Sequence, residues 1–234
     1  MMKALLILIC SVWCALPASA QQNYDAGLIP KDLLPYASAV IRNSDEQIEV
    51  KALDNTLVHI KQAITVLNKN GDEYARVVVW HNKSNIIKSI KGVVYNAGGK
   101  QIGKFSERDF KDINAADDAA LFEDSHEKHF LPAVIDYPYT VEYEYEVRAK
   151  QTMYFDDWLP CPAAGIAIEN SSYTFTSKPD FNIRYKEINT PEKVSITTDK
   201  QGLKSYTWHA GHIKAIKNEP YSPNPDRFLT MVKI

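Results

Sequence analysis

Between Thr140 and Val147 apolar and acidic residues alternate without a break. Val141, Tyr143, Tyr145 and Val147 fall on one side of an extended chain and Glu142, Glu144 and Glu146 on the other. That period of two predicts a strand with one buried and one wet face, near the middle of an antiparallel sheet. Parallel strands, covered on both faces, read as continuous apolar runs instead. Strand-like runs also cover Gln47 to Leu53, Thr56 to Leu67, Glu73 to His81, Ile86 to Tyr95, Ile166 to Thr176, Phe181 to Ile188, Lys193 to Thr197 and Lys204 to His209. Turn residues separate them: Asp54-Asn55, Asn70-Gly71, Gly98-Gly99 and Gln201-Gly202. Asn-Gly is a strong hairpin signal because both positions tolerate positive φ. Many short strands with such turns predict a mainly β fold, an antiparallel β-sandwich. One or two short helices are expected, one starting at Ser106 before Glu107-Arg108-Asp109 and a turn within Pro30 to Leu34. From Phe105 to Leu131 the alternation stops, and the alanine-rich run from Ala115 to Ala120 reads as a loop.

The first twenty residues have a different pattern. Lys3 gives a positive start, Ala4 to Leu16 an apolar core and Ala18-Ser19-Ala20 a small-residue cleavage site, the plan of a secretory signal peptide. The rest of the chain holds no run of the roughly 18 apolar residues that a membrane span needs. An exported protein, periplasmic or extracellular, is expected. Losing the signal removes Lys3 from the 27 basic residues against 29 acidic ones, for a net charge of −3, and leaves Cys161 as the one cysteine. A basic face for nucleic acid is not expected from that balance. Cys161 has no partner for an internal disulfide, so burial must hold the fold together.

Candidate chemistry is sparse. Cys161 lies between Pro160 and Pro162, which deny it the helix N-terminus that activates a thiol. His126 and His129, and likewise His209 and His212, are three apart, whereas helical zinc motifs need four. The glutamates at 142, 144 and 146 are expected to face lysines such as Lys61, Lys88 and Lys91. Trp80, Trp158, Trp208 and the 13 tyrosines suit either a core or a sugar-stacking surface. No catalytic, cofactor-binding or metal residue is assigned, and no cofactor is expected. Phe228 to Ile234 places five apolar residues in seven after a proline-rich stretch, so the tail is expected to return to the domain or to run into another.

Several stretches in order resemble a known family: Val66 to Asp72, Ile87 to Gly92 followed by Tyr95 and Gly99-Lys100, Asp136 to Tyr145, and Asn218 to Tyr221 with Pro223. They are similar to DUF3857, a domain of unknown function found N-terminal to transglutaminase-like domains in exported Gram-negative bacterial proteins. The resemblance implies a β-sandwich without assigned catalytic residues, beside a transglutaminase-like domain. On that basis residues 21–39 are an extended lead-in, 40–225 the sandwich, and 226–234 the start of a linker or strand towards an absent downstream domain. The function expected is non-catalytic, an interaction or positioning module with a protein partner or the adjoining domain. The alternative is a carbohydrate-binding module that takes a glycan on exposed aromatics.

Overall fold

The computed structural model describes residues 23–115, 124–134, 136–217 and 229–234. The expected signal peptide, nearly all of the alanine-rich loop and the proline-rich stretch from Pro220 to Pro225 lie outside the described residues. The fold is mainly β. Strands β1 (Ala39–Ala52), β2 (Asn55–Val66), β4 (Asn85–Tyr95), β5 (Gln101–Ser106), β8 (Tyr139–Ala149), β9 (Ile166–Ser177), β11 (Ser195–Thr198) and β12 (Lys204–Ile213) form one large sheet in the order β11-β12-β9-β1-β2-β8-β4-β5. A three-stranded sheet has the order β3-β7-β6, from β3 (Val77–His81), β6 (Lys111–Asn114) and β7 (His126–Phe130). The tail strand β13 (Met231–Lys233) pairs with β10 (Lys186–Ile188).

All neighbours in the large sheet are antiparallel except β1 and β9, which are parallel. The alternating strand β8 lies between β2 and β4, inside the sheet as its pattern predicts. Register assigns the faces. Val141 opposes Ile64 and Val94, Tyr145 opposes Ile60 and Ile90, and Glu46 opposes Ile60 and Tyr173, so these share the inner face. Glu142, Glu144 and Glu146, with Lys61, His59 and Lys91, share the outer one.

Two apolar clusters cover opposite ends of the inner face. Near one end Ile41, Ile64, Val66, Val141 and Ile166 meet Val77, Val79 and Phe110 of the small-sheet layer. The Phe105 ring stacks on Phe130 at 4.2 Å between centroids. At the other end Ile48, Val50, Phe175, Tyr206 and Trp208 pack with Trp158 and Val232. The middle of the face is more polar: Tyr143 donates to Gln62 Oε1 at 2.8 Å, and Gln62 donates to Ser44 Oγ at 3.2 Å.

Burial of β8 departs from the expectation in degree. Val141 and Val147 are buried, whereas Tyr143 and Tyr145 are half-buried because they stand where the two cover layers part. The three glutamates are half-buried rather than exposed, since neighbouring side chains cover them. Lys61 reaches Glu142 at 3.5 Å, and His59 and Lys91 reach Glu144 at 3.0 and 3.2 Å.

The Asn70-Gly71 signal does not make a hairpin. Lys69–Ala75 is a 3-10 turn, so β3 starts only at Val77 rather than at Glu73. Asn68 caps the turn by accepting from the Asn70 N–H, and Gly71 lies so close to the Ser38 carbonyl that a Cβ has no room. Asp72 then accepts from the phenols of Tyr137 and Tyr139 at 2.7 and 3.0 Å. Two separate stretches of the family resemblance thus meet at one carboxylate. The expected helix after Ser106 is a single capped 3-10 turn, Glu107–Asp109. In the lead-in, Ala26–Leu28 and Lys31–Leu33 are 3-10 turns that bury Ile29 and Leu33 against Val40 and Ala167. Met231 and Val232 are buried, and Val232 exchanges both backbone hydrogen bonds with Trp158. Return of the tail to this domain is therefore seen directly.

Candidate functional site

Where the two cover layers part, the inner face opens into a cleft of about 500 Å³. Its floor is the inner-face row Glu46, Ile48, Val58, Ile60, Tyr145 and Val147, and its walls are Val78 to Trp80 on one side and Tyr154 to Asp156 on the other. β3 is an edge strand of its sheet, so the first wall presents a strand edge to the cleft. The rim carries large exposed apolar groups: Trp80 is 57% exposed and Tyr154 68%. Met153, beside Tyr154 in the chain, is almost fully exposed.

The second wall is held in place. Gln151 Oε1 accepts from the N–H groups of Met153 and Tyr154 at 2.7 and 3.0 Å, while its Nε2 donates to the Tyr154 carbonyl. Thr56 and Thr152 anchor this turn to the β1–β2 hairpin through the carbonyls of Gln151 and Leu53. The other side is braced too: Asn82 Oδ1 accepts from the N–H groups of Ser84 and Asn85. Tyr154 and Trp80 therefore stand on fixed supports, which reduces the entropy lost on binding.

Glu46 sets the electrostatics. Burial against the apolar floor, with the Asp156 carboxylate adding like-charge repulsion, pushes its pKa up to about 7. Near neutrality it is thus part protonated and can donate as well as accept. Burial also raises the phenols of Tyr143, Tyr145 and Tyr173, with the Glu46 charge adding to each. Tyr173 Oη and Ser171 Oγ are buried and have no hydrogen-bond partner among the described residues. A perturbed carboxyl in a concave site is a hallmark of functional surfaces.

Of the residues singled out from sequence, Cys161 is 2% exposed, and burial raises its thiol pKa. Trp158 and Trp208 are core residues, leaving Trp80 as the exposed tryptophan among the described ones. On β7, His126 and His129 point to opposite faces because their spacing is odd, so they cannot share a ligand. Cross-strand pairing instead sets His126 directly opposite His81, with the rings stacked at 5.4 Å. Asp112 on β6 lies within 3.2 Å of His81 Nε2 and 3.3 Å of His126 Nδ1. His212 pairs with Asp32 at 2.7 Å and lines the same surface pocket as His209. Reasoning from sequence missed both Glu46 and the His81-Asp112-His126 group. The available signal for Glu46 was parity, since it shares the strand side of Ile48 and Val50.

Among solved structures the chain resembles a provisionally assigned protease from Parabacteroides distasonis, with a TM-score of 0.72 and 14% identity over 83% of this chain. The chain spans 40% of the length of that structure, and at this identity the likeness concerns the fold alone. Weaker likenesses are to an aminopeptidase A from Legionella pneumophila bound to aspartic acid (TM-score 0.39, 13% identity, 84% of this chain and 21% of the other) and an M1 zinc metallopeptidase from Deinococcus radiodurans (0.38, 10%, 84% and 42%). No curated protein sequence matches the chain. The profile of DUF3857, a domain of unknown function with a solved structure, matches residues 55–217, most of the described fold including the floor of the cleft from β2 onward. The chain belongs to the DUF3857 family.

Proposed function

We propose that this is a non-catalytic, exported interaction or positioning module, normally adjoining a transglutaminase-like domain, and that the inter-sheet cleft is its binding surface. The observation that carries this reading is the braced apolar rim. Trp80 and Tyr154 are exposed on fixed supports around a partly neutral carboxyl. Large aromatic groups held out in water are typical of recognition surfaces. Burial of Cys161 supports a binding role over thiol chemistry. The test is calorimetric titration of residues 21–234 with a transglutaminase-like domain from the same genome. Saturable binding that weakens about tenfold in Trp80→Ala and Tyr154→Ala is expected. Binding indifferent to both substitutions, or hydrolytic turnover lost in Glu46→Gln, would overturn the reading.

A glycan is the second reading, favoured by the combination of Trp80 and Tyr154 with the carboxyl groups of Glu46 and Asp156. Sugars stack their apolar faces on aromatic rings and hydrogen-bond their hydroxyls to carboxylates. Retardation in affinity gels cast with bacterial polysaccharides, lost in Trp80→Ala, would favour it over a protein ligand.

A further inference from the structure

We propose that His81, Asp112 and His126 form a binding site for a divalent transition-metal ion, with Zn²⁺ the best match. The three residues come from the three adjacent strands of the small sheet, β3, β6 and β7, and their potential ligand atoms all lie within 4.8 Å of one another. Two of the separations, Asp112 to His81 at 3.2 Å and Asp112 to His126 at 3.3 Å, already match a tetrahedral ion. Bonds of about 2.0–2.1 Å to each ligand place neighbouring donors roughly 3.3 Å apart. The third separation, between the two imidazole nitrogens, lies within the same 4.8 Å. Two imidazoles and one carboxylate favour zinc or a neighbouring transition ion over Ca²⁺ or Mg²⁺, which take oxygen ligands. Three protein ligands leave a fourth position for water or a bound group.

The surroundings suit the role. Lys128 stands 3.5 Å from Asp112 Oδ2 and 3.3 Å from Glu107, so it holds the carboxylate in place as an outer-shell partner. Strand pairing alone explains why the histidines face each other, but it does not require a carboxylate to lie between them. The physical return is cross-linking of short strands: β6 has 4 residues and β3 and β7 have 5 each. His81 follows Trp80 on β3, so an ion here would stiffen the first wall of the cleft. The site stands independently of what the cleft binds.

The experiment uses residues 21–234 made without a histidine tag, stripped with a chelator and titrated separately with Zn²⁺ and Co²⁺. One ion per chain, a raised thermal midpoint with Zn²⁺, and the visible absorption of four-coordinate Co²⁺ are expected. His81→Ala and His126→Ala should each weaken binding by about tenfold or more, whereas His129→Ala and His209→Ala should not. Asp112→Asn keeps the side-chain shape and should abolish the Co²⁺ spectrum, which keeps the test decisive if an alanine variant fails to fold. Lack of saturable binding, or binding lost equally in His209→Ala, would overturn the proposal.

Discussion

Glu46 and Tyr173 are register partners on the parallel β1–β9 pair, which sets a carboxyl beside a buried phenol on the inner face of the large sheet. Burial and the Glu46 charge together raise the cost of ionising the Tyr173 phenol. The pair sits in the row that links Trp208, Tyr173, Glu46, Ile60 and Tyr145 across five strands.

The raised pKa of Glu46 predicts a stability window. In the folded protein the carboxyl keeps its proton to about pH 7, but in the unfolded chain only to its ordinary value of 4.5. Below pH 4.5 both states are neutral and the group costs nothing. As pH rises from 4.5 to 7 the unfolded state ionises first and is favoured, so stability falls and then levels off. Glu46→Gln should flatten this slope and raise stability at pH 8 by on the order of 1–3 kcal/mol. Urea unfolding of both proteins at pH 5 and pH 8 checks it, and an unchanged pH slope in the variant would refute it.

Gly92→Ala should destabilise the protein although it adds one methyl group. A Cβ at Gly92 would land inside the Phe105 ring, which stacks on Phe130 of the small sheet. Overpacking of this kind costs about 1–3 kcal/mol. Thermal unfolding measures the loss. Phe105→Leu in the same chain, by making room, should recover part of it.

Cys161 should react with iodoacetamide only when the protein opens. Its thiol is buried and burial raises its pKa, so the thiolate is scarce at neutral pH. Labelling should follow urea unfolding and be far slower than that of free cysteine in buffer. Fast stoichiometric labelling of the native state would contradict the buried position.

Val232→Asp should unfold the second core cluster locally or wholly. Val232 is fully buried and is tied to Trp158 by hydrogen bonds of 2.9 and 3.0 Å. An unpaired buried charge there is expected to cost about 3–5 kcal/mol, read as a lowered midpoint. An unchanged midpoint would show that the tail adds little to the core.

Where a strand alternates cleanly, the sequence was enough to place it. β8, β2, β4 and β9 fall close to their expected ranges because one apolar side per strand admits one register. β6 and β7 lay in the stretch judged non-alternating, and β5 was not among the expected strands. β6 is exposed along its whole length, and β7 carries two histidines, a lysine and a glutamate, so hydrophobicity leaves no trace of them. The same cause hid the His81-Asp112-His126 group, whose members are 31 and 14 or more residues apart and meet only through strand pairing. Glu46 was hidden differently. In Asp45-Glu46-Gln47 it reads as one of a polar run, and only its shared side with Ile48 and Val50 marks it as inward. The parallel β1–β9 pair left no sign either, since both strands also have antiparallel neighbours that set their pattern.

That parallel pair governs how the chain can assemble. The hydrogen bond from Ser172 to Asp45 closes a loop of 127 residues, whereas β1 and β2 meet through a tight turn at Asp54. Loop-closure entropy makes the long contact form late, and topologies rich in such contacts fold slowly. Until β9 arrives, β1 is an open edge bearing Val40 and Ile41, able to join another chain in the same way. The domain therefore depends, during synthesis and refolding, on keeping its first hairpin apart from other chains until its last third is in place.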